Sequence, residues 1–352
     1  MKIAQFVTAD VSYPVPGNEV FASFDTTHLL VESLVRARED VTLYAVEGTQ
    51  TSAHLVTHGI KASRTVPRLH GLAAVHGTAM LSYIAKEYEQ YDVIHLHTLS
   101  LSALSFARLM PRRPVVITLH DPLNVPLIQA SLDLHQDLSN VHYVSISNNQ
   151  RITRPDLNYA ATIYHGLVIE NIPWSKEPTN RWIFFGRIIL NKGADIAVKI
   201  AIAAGIGLDI VGPNYLEDDA NRQYFNEKIA PYVDGEKIRY LGTKSHDDIK
   251  TLLPKARGFL FPLQWEEPFG LTVIEALAAG TPTLGFKRGS LPEIIEHGKT
   301  GFLVDTEQQM IQYINKIDSI RREDCRKAAE DRFSMSRVTN QYLELYKKLH
   351  RG

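Results

Sequence analysis

Short apolar runs recur along the chain, each followed by a longer stretch with helical spacing. Lys2 to Val7 reads as a buried strand, and the turn-rich Tyr13-Pro14-Val15-Pro16-Gly17-Asn18 follows it. A helix is predicted from about Phe21 to Arg38, with Leu29, Leu30, Leu34 and Val35 on its apolar face. Further strands are predicted at Val41 to Val46, Val93 to His97, Val115 to Leu119, His142 to Ile146 and Ala161 to Tyr164. Helical patterns cover His70 to Glu89 and Leu101 to Met110, and Ser147 is placed to cap a short helix after it. Residues 47 to 68 are rich in Thr and His and carry no usable period. The pattern restarts near Arg181, with strands at Arg181 to Phe185, Leu208 to Val211, Ile238 to Leu241, Gly258 to Phe261, Thr283 to Phe286 and Gly301 to Leu303. Between them, Ser245-His-Asp-Asp248 is a capping box for a helix reaching Leu253. Met310 to Leu349 is polar and helical, with breaks expected near Asp318 and Phe333.

Such alternation predicts an α/β fold of parallel sheets covered by helices on both faces. Two successive sets predict two Rossmann-like, doubly wound domains. The expected boundaries are 1–168 with 334–352, and 169–333, and Ile169 to Asn180 reads as a linker.

The most informative stretch runs from Gln264 to Gly285, QWEEPFGLTVIEALAAGTPTLG. It predicts a strand exit, a loop and an apolar helix from about Leu271 to Ala279, stopped by Gly280. At the helix start, Phe269, Gly270, Leu271 and Thr272 offer N–H groups without intrahelical acceptors, where the helix dipole is positive. That end attracts an anion, and Gly270 lets it come close to the backbone. Glu267 and Glu275 flank it, with seven residues between them. Carboxylates repel phosphate and accept from hydroxyls, so an anion with hydroxyls on both sides describes a nucleotide diphosphate sugar. Taken alone, the pair also reads as solvated charges at a helix start.

A second candidate phosphate loop follows the strand Arg181-Trp-Ile-Phe-Phe. Gly186 and Arg187 form its exit, and Lys192-Gly193 precedes an Ala- and Ile-rich helix. Ligands of open parallel sheets bind at the carboxyl ends of such strands. Arg187 offers a planar fork and Lys192 a point charge, which together would neutralise a diphosphate without a metal. Two surface cations after a glycine turn would look the same. The dinucleotide fingerprint G-x-G-x-x-G is absent from both strand exits, which argues against a dehydrogenase.

Composition adds bounds. The 352 residues are 44% hydrophobic and 22% charged, enough for two domains, and the net charge of −1 gives no polybasic surface for nucleic acid. The single cysteine, Cys325, cannot form an intrachain disulfide, and its charged helical flanks argue against a catalytic thiol. No signal-peptide pattern opens the chain and no run has the roughly eighteen apolar residues of a membrane span, so a cytoplasmic location is expected.

FFGRIILNKG, LDIVG, IRYLGTKSHDDIKTLL and above all EEPFGLTVIEALAAGTPTLGFKRGSLPEIIEHGKTGFLV resemble glycosyltransferase family 4, retaining enzymes of the GT-B fold. In the first half VIHLHT, VVITLHDP, YVSISNNQR and IYHG also resemble the family. The resemblance implies two domains facing a deep cleft, with the segment after Phe333 crossing back to the first. It implies that Arg187 and Lys192 hold the donor diphosphate beside Gly186, that Glu275 binds the ribose and that Glu267 binds the transferred sugar. The backbone of Phe269, Gly270 and Leu271 would contact sugar and distal phosphate, and Gly242 and Thr243 would border the base. His120 matches a histidine that faces the donor sugar. Gly17 lies where many relatives carry paired glycines near the phosphates. Glu267, His120, Arg187 and Lys192 are thus the candidate catalytic residues, with no metal and no cofactor beyond a UDP- or GDP-sugar co-substrate.

The acceptor, a sugar, a lipid-linked molecule or another small molecule, is expected on the first domain near residues 8 to 18 and 47 to 70. A nucleotide-sugar epimerase or hydrolase of the same fold, or a non-catalytic nucleotide-sugar-binding subunit, is the alternative. His95-x-His97 has the spacing of two metal ligands on one strand face, but no Cys or close carboxylate completes a set. Asp247-Asp248 reads as capping, Asp218-Asp219 as a solvated loop and His165-Gly166 as a tight turn. Arg108, Arg112 and Arg113 could give a weak peripheral contact with an anionic membrane or acceptor.

Overall fold

A computed structural model describes residues 1–15, 22–63 and 72–351. The chain divides into two compact units, Met1–Gly166 with Met335–Gly352, and Leu167–Ser334. The first unit begins β1 (Lys2–Phe6), α1 (Ala22–Arg36), β2 (Asp40–Tyr44), β3 (His54–Val56), α2 (Leu72–Glu87), β4 (Val93–Leu96) and α3 (Leu101–Ala107). It continues with β5 (Val115–Leu119), α4 (Pro126–Leu134), β6 (Val141–Ser145), α5 (Asn148–Arg151) and β7 (Tyr159–Thr162). Its seven strands are all parallel, in the order β3-β2-β1-β4-β5-β6-β7.

The second unit contains β8 (Arg181–Phe185), α6 (Ala194–Ala204), β9 (Gly207–Val211), α7 (Asp219–Lys228), β10 (Ile238–Tyr240), α8 (His246–Leu252) and β11 (Phe259–Phe261). After these come α9 (Leu271–Ala278), β12 (Thr283–Phe286), α10 (Leu291–Ile294), β13 (Gly301–Val304), α11 (Glu307–Tyr313) and α12 (Arg322–Phe333). Its six parallel strands run β10-β9-β8-β11-β12-β13. The last helix, α13 (Met335–Arg351), belongs to the first unit and packs against α1 and β4.

Burial explains which strands the hydrophobic pattern marks. Every residue of β4, β5 and β11 is buried, as befits central strands covered on both faces. The edge strands β3 and β7 are exposed or half-buried, and both depart from expectation: β3 was not anticipated, and β7 starts and ends two residues earlier than predicted. The helix predicted to reach Met110 ends at Ala107. The breaks in the C-terminal helical region fall as expected, a 3-10 turn over Ile314–Ser319 and the α12–α13 junction.

The caps hold in detail. Ser147 accepts from Gln150 N–H, and Ser245 and Asp248 form a reciprocal capping box. Asp218 is exposed at the end of its loop and also caps α7, its carboxylate accepting from Asn221 N–H, while Asp219 pairs with Arg222. The arginine cluster is also differently disposed. Arg108 makes a bidentate contact with Asp137 at 2.6 and 2.7 Å, Arg112 reaches Glu89 at 3.1 Å, and Arg113 donates to the Glu89 carbonyl. Two of its three charges are thus paired to exposed carboxylates. No helix among the described residues is long and apolar enough to cross a membrane.

Candidate active site

In each sheet the strand order reverses once, between β1 and β4 and between β8 and β11. A crevice opens at such a point because the connections on either side lead away in opposite directions. In the second unit, the loops leaving β8 and β11 carry Gly186 to Lys192 and Gln264 to Gly270, the two stretches singled out by sequence.

Lys192 and Glu267 meet there. Lys192 Nζ donates to Glu267 Oε2 at 2.5 Å, and the two side chains are only 12% and 13% exposed. Trp265 Nε1–H donates to the same oxygen at 2.8 Å, and its ring lies 5.3 Å from the Lys192 ammonium. Burial pulls the Lys192 pKa below its ordinary value, and the Glu267 carboxylate opposes that pull. The loops are tied by Gln264 N–H donating to the Asn191 carbonyl at 2.8 Å. Ser290 N–H holds the Glu267 carbonyl, and Gly289 N–H donates to Glu266 Oε2. Trp265 was not anticipated; a tryptophan two residues before the key glutamate, in a strand-to-helix loop, was the available signal.

Arg187 is exposed and has no carboxylate partner among the described residues. At the start of α9, Gly270 caps without any side-chain hydrogen bond, and its carbonyl already serves Val273 and Ile274. Leu271 and Thr272 N–H therefore have no intrahelical acceptor. Phe269 is buried, its ring edge-on to Phe333. Glu275 is half-buried in the second turn of α9.

Three neighbouring strands, β8, β9 and β10, run into glycines. Gly186 N–H donates to Val211, and Gly212 N–H donates to the Gly242 carbonyl. A Cβ on Gly212 would lie 1.8 Å from the Gly186 carbonyl oxygen. Gly212 was missed as a site residue, although LDIVG shows it at a strand exit. Thr243 follows Gly242 and is half-buried. Gly17 lies outside the described residues.

Gly193 is the tightest point of the β8–α6 loop. It has φ +76°, and a Cβ there would sit 2.1 Å from the Pro262 carbonyl oxygen. Gly193→Ala is expected to push this loop away from β11 and separate Lys192 from Glu267. Nucleotide affinity measured by calorimetry should fall at least about tenfold, the equivalent of roughly 1.4 kcal/mol of displaced contact.

In the first unit, His120 follows β5. It lies among His97, which follows β4, and His165. His97 Nδ1 and His120 Nε2 are 3.1 Å apart, and the His120 and His165 rings stack with centroids 5.2 Å apart. Burial holds all three, and His95, below the ordinary imidazole range, His120 to about 4. His165 is thus part of an aromatic stack and not only a turn residue. His95 Nδ1 contacts Tyr346 Oη and its Nε2 contacts Thr118 Oγ1, so protein partners occupy both nitrogens. A cavity of about 10 Å³, one water's worth of space, touches His97, His120, His165 and Tyr342. A larger one, of about 210 Å³, opens where β1 and β4 end, lined by Thr8, Asp10, Thr78, Thr98, Ser100 and Ser102. Asp10 is held there by Thr8 at 2.7 Å and Ser63 at 3.0 Å.

The comparisons decide the family. The family described as Glycosyl transferases group 1 matches residues 169–332, and that described as Glycosyltransferase Family 4 matches residues 26–153. The chain is a glycosyltransferase of family 4. YtcC of Bacillus subtilis (strain 168), a glycosyltransferase by name, is 22% identical to this glycosyltransferase over 351 residues, covering 90% of this chain and 83% of YtcC. The solved structure of sucrose-phosphate synthase from Thermosynechococcus elongatus superposes with TM-score 0.74 at 18% identity, covering 99% of each chain. HepE from Anabaena, in complex with UDP-glucose, gives TM-score 0.72 at 20% identity, covering 99% of this chain and 100% of HepE. The fold of the glycosyltransferase is GT-B.

Proposed function

We propose that this glycosyltransferase moves a hexosyl group, with retention, from a UDP- or GDP-sugar to an acceptor hydroxyl, and that it does so without a metal ion. The observation that carries the reading is the assembly at the β8/β11 switch point: Arg187 without a carboxylate partner among the described residues, Lys192 in a buried pair and the uncapped start of α9. Arg187 and the helix end favour an anion, and Lys192, which shares its ammonium with Glu267, adds a second cation beside them for a diphosphate. A solved neighbour of the same fold, HepE, holds UDP-glucose.

The donor belongs to the second unit and the acceptor to the first. The diphosphate lies against Arg187, Lys192 and the backbone of Gly270 and Leu271. Glu275 takes the ribose hydroxyls, and Gly242 and Thr243 border the base. The bond from the sugar's anomeric carbon to the diphosphate oxygen breaks, leaving an oxocarbenium-like sugar beside Glu267. Arg187, Lys192 and the helix end stabilise the charge on the departing diphosphate. The acceptor oxygen bonds the anomeric carbon from the same face and passes its proton to a phosphate oxygen. The cavity at β1 and β4 sets five hydroxyl side chains and the fixed Asp10 among apolar residues, which suits a polyhydroxyl acceptor with apolar ring faces. A cytoplasmic location is part of this reading.

Glu267→Gln keeps the shape of the side chain and removes its charge. The expected result is a kcat lower by about 10²-fold with donor affinity changed far less, because the charge acts on the oxocarbenium and not on the bound sugar. The wild-type protein, incubated with a panel of nucleotide sugars in excess EDTA, should retain turnover and give product of unchanged anomeric configuration by NMR. Inverted product, or turnover abolished by EDTA, would count against this mechanism.

A further inference from the structure

Gln5, in β1, is fully buried, and its amide lies between two elements. Its Oε1 is 2.7 Å from His97 Nε2, and its Nε2 is 3.2 Å from Tyr346 Oη on α13. An amide oxygen carries no proton, so His97 Nε2 must donate to it. His97 is buried and neutral, which leaves its Nδ1 as a bare acceptor. Among the described residues that nitrogen has one hydrogen-bond contact, His120 Nε2 at 3.1 Å, so His120 Nε2 must carry a proton and donate. A neutral His120 then has no proton on Nδ1, and that nitrogen is buried with no hydrogen-bond partner among the described residues. The rest of the network agrees. Gln5 Nε2 donates to Tyr346 Oη, which is left to donate to His95 Nδ1 at 2.6 Å, and His95 Nε2 then faces Thr118 Oγ1 at 2.8 Å.

We propose that Gln5 and His97 are positioning residues that fix the tautomer of His120, so that His120 Nδ1 stands as a bare acceptor for a hydroxyl of the acceptor sugar. The proposal rests on the reading above in which the acceptor belongs to the first unit. Buried acceptors without partners are uncommon, because each forfeits the hydrogen bonds it made in water. His120 lines the small cavity together with His97, His165 and Tyr342, and a hydroxyl entering it would supply the proton that Nδ1 lacks. Reversing the Gln5 amide would reverse every bond in the relay and put a proton on His120 Nδ1, turning an acceptor into a donor. The amide orientation of one buried glutamine in β1 therefore sets which hydrogen-bonding role the histidine after β5 can play.

The first test uses the ligand-free, full-length protein labelled with ¹⁵N, and needs no activity. Long-range ¹H–¹⁵N correlation at neutral pH should show pyridine-type Nδ1 and pyrrole-type Nε2 for both His97 and His120. A pyrrole-type Nδ1 on His120 overturns the proposal, whatever the enzyme's donor is. The second test is kinetic. In Gln5→Leu, the only acceptor left for His97 is His120 Nε2, so His97 should move its proton to Nδ1 and drive His120 into the opposite tautomer. Turnover should fall at least about tenfold, the factor expected for one misplaced buried proton, with KM for the nucleotide sugar unchanged. His97→Leu added to Gln5→Leu should cost nothing further, since both act through one relay. Additive losses, or a His120 tautomer unaltered by Gln5→Leu, would overturn it. If His120 shows the expected tautomer while Gln5→Leu leaves turnover intact, the tautomer has no role in transfer and the functional half of the proposal fails, with the donor site untouched.

Discussion

Arg187→Ala is expected to lower kcat/KM by about 10²- to 10³-fold, the usual loss when one preorganised stabiliser of a developing charge is removed. It should do so with no change in melting temperature beyond what a surface substitution gives. Arg187 is exposed and makes no ion pair with a carboxylate among the described residues, so removing it orphans no buried group. That makes it a cleaner probe than Lys192. Lys192→Ala should lose transfer to a similar degree, but it also strands the Glu267 carboxylate at 13% exposure, with Trp265 as its remaining donor. Breaking a buried pair from one side typically costs about 3–5 kcal/mol. Steady-state kinetics with thermal denaturation separates the two variants: both slow, only Lys192→Ala markedly less stable. An Arg187→Ala enzyme with near-native turnover would remove Arg187 from the diphosphate site.

Arg322→Ala is expected to destabilise the second unit by at least about 3 kcal/mol. Arg322 is 7% exposed, and every nitrogen of its guanidinium points at a fixed acceptor. Nε donates to Ser175 O at 2.7 Å, Nη1 to Ala256 O at 2.9 Å, and Nη2 to Pro254 O at 2.8 Å and Thr281 Oγ1 at 3.0 Å. No carboxylate among the described residues neutralises it, and burial brings its pKa down to about 10. The side chain is a clamp joining the segment before β8, the α8–β11 connection, the start of β12 and α12. Truncation removes the guanidinium donors from three carbonyls and the Thr281 hydroxyl and leaves a cavity behind them. Thermal unfolding should shift down by roughly 6–12 °C for a unit of this size. Arg322→Lys should recover only part of this, because one ammonium cannot reach acceptors arranged around a planar fork. A shift within a degree for Arg322→Ala would refute the clamp.

The strands that sequence made legible are those whose every residue is buried, such as β4, β5 and β11, because a parallel strand covered on both faces is apolar throughout. β3 escaped because a three-residue edge strand carries almost no pattern, and α4 because its N-cap is Val125, which has no capping side chain. The placement of Lys192 and Glu267 at strand exits, and of the start of α9 after Gly270, was legible because glycine turns and apolar runs mark those exits. Trp265 and Gly212 were not, since their roles are set by neighbours distant in sequence: a lysine 73 positions earlier for one and the Gly186 carbonyl for the other. Gln5 was the least accessible of all. One polar residue inside an apolar strand looks like an imperfection until its amide is seen between His97 and a tyrosine 341 residues away.

Cys325, the chain's one cysteine, is fully buried in α12, its Sγ–H donating to the Thr300 carbonyl, and burial pushes its pKa up to about 12. Such a thiol is inert to alkylating and disulfide reagents while the helix is seated. Its labelling rate therefore meters how often α12 lifts away, one turn from Arg322. The enzyme carries its own gauge of breathing, to be read by mass spectrometry without any engineered probe.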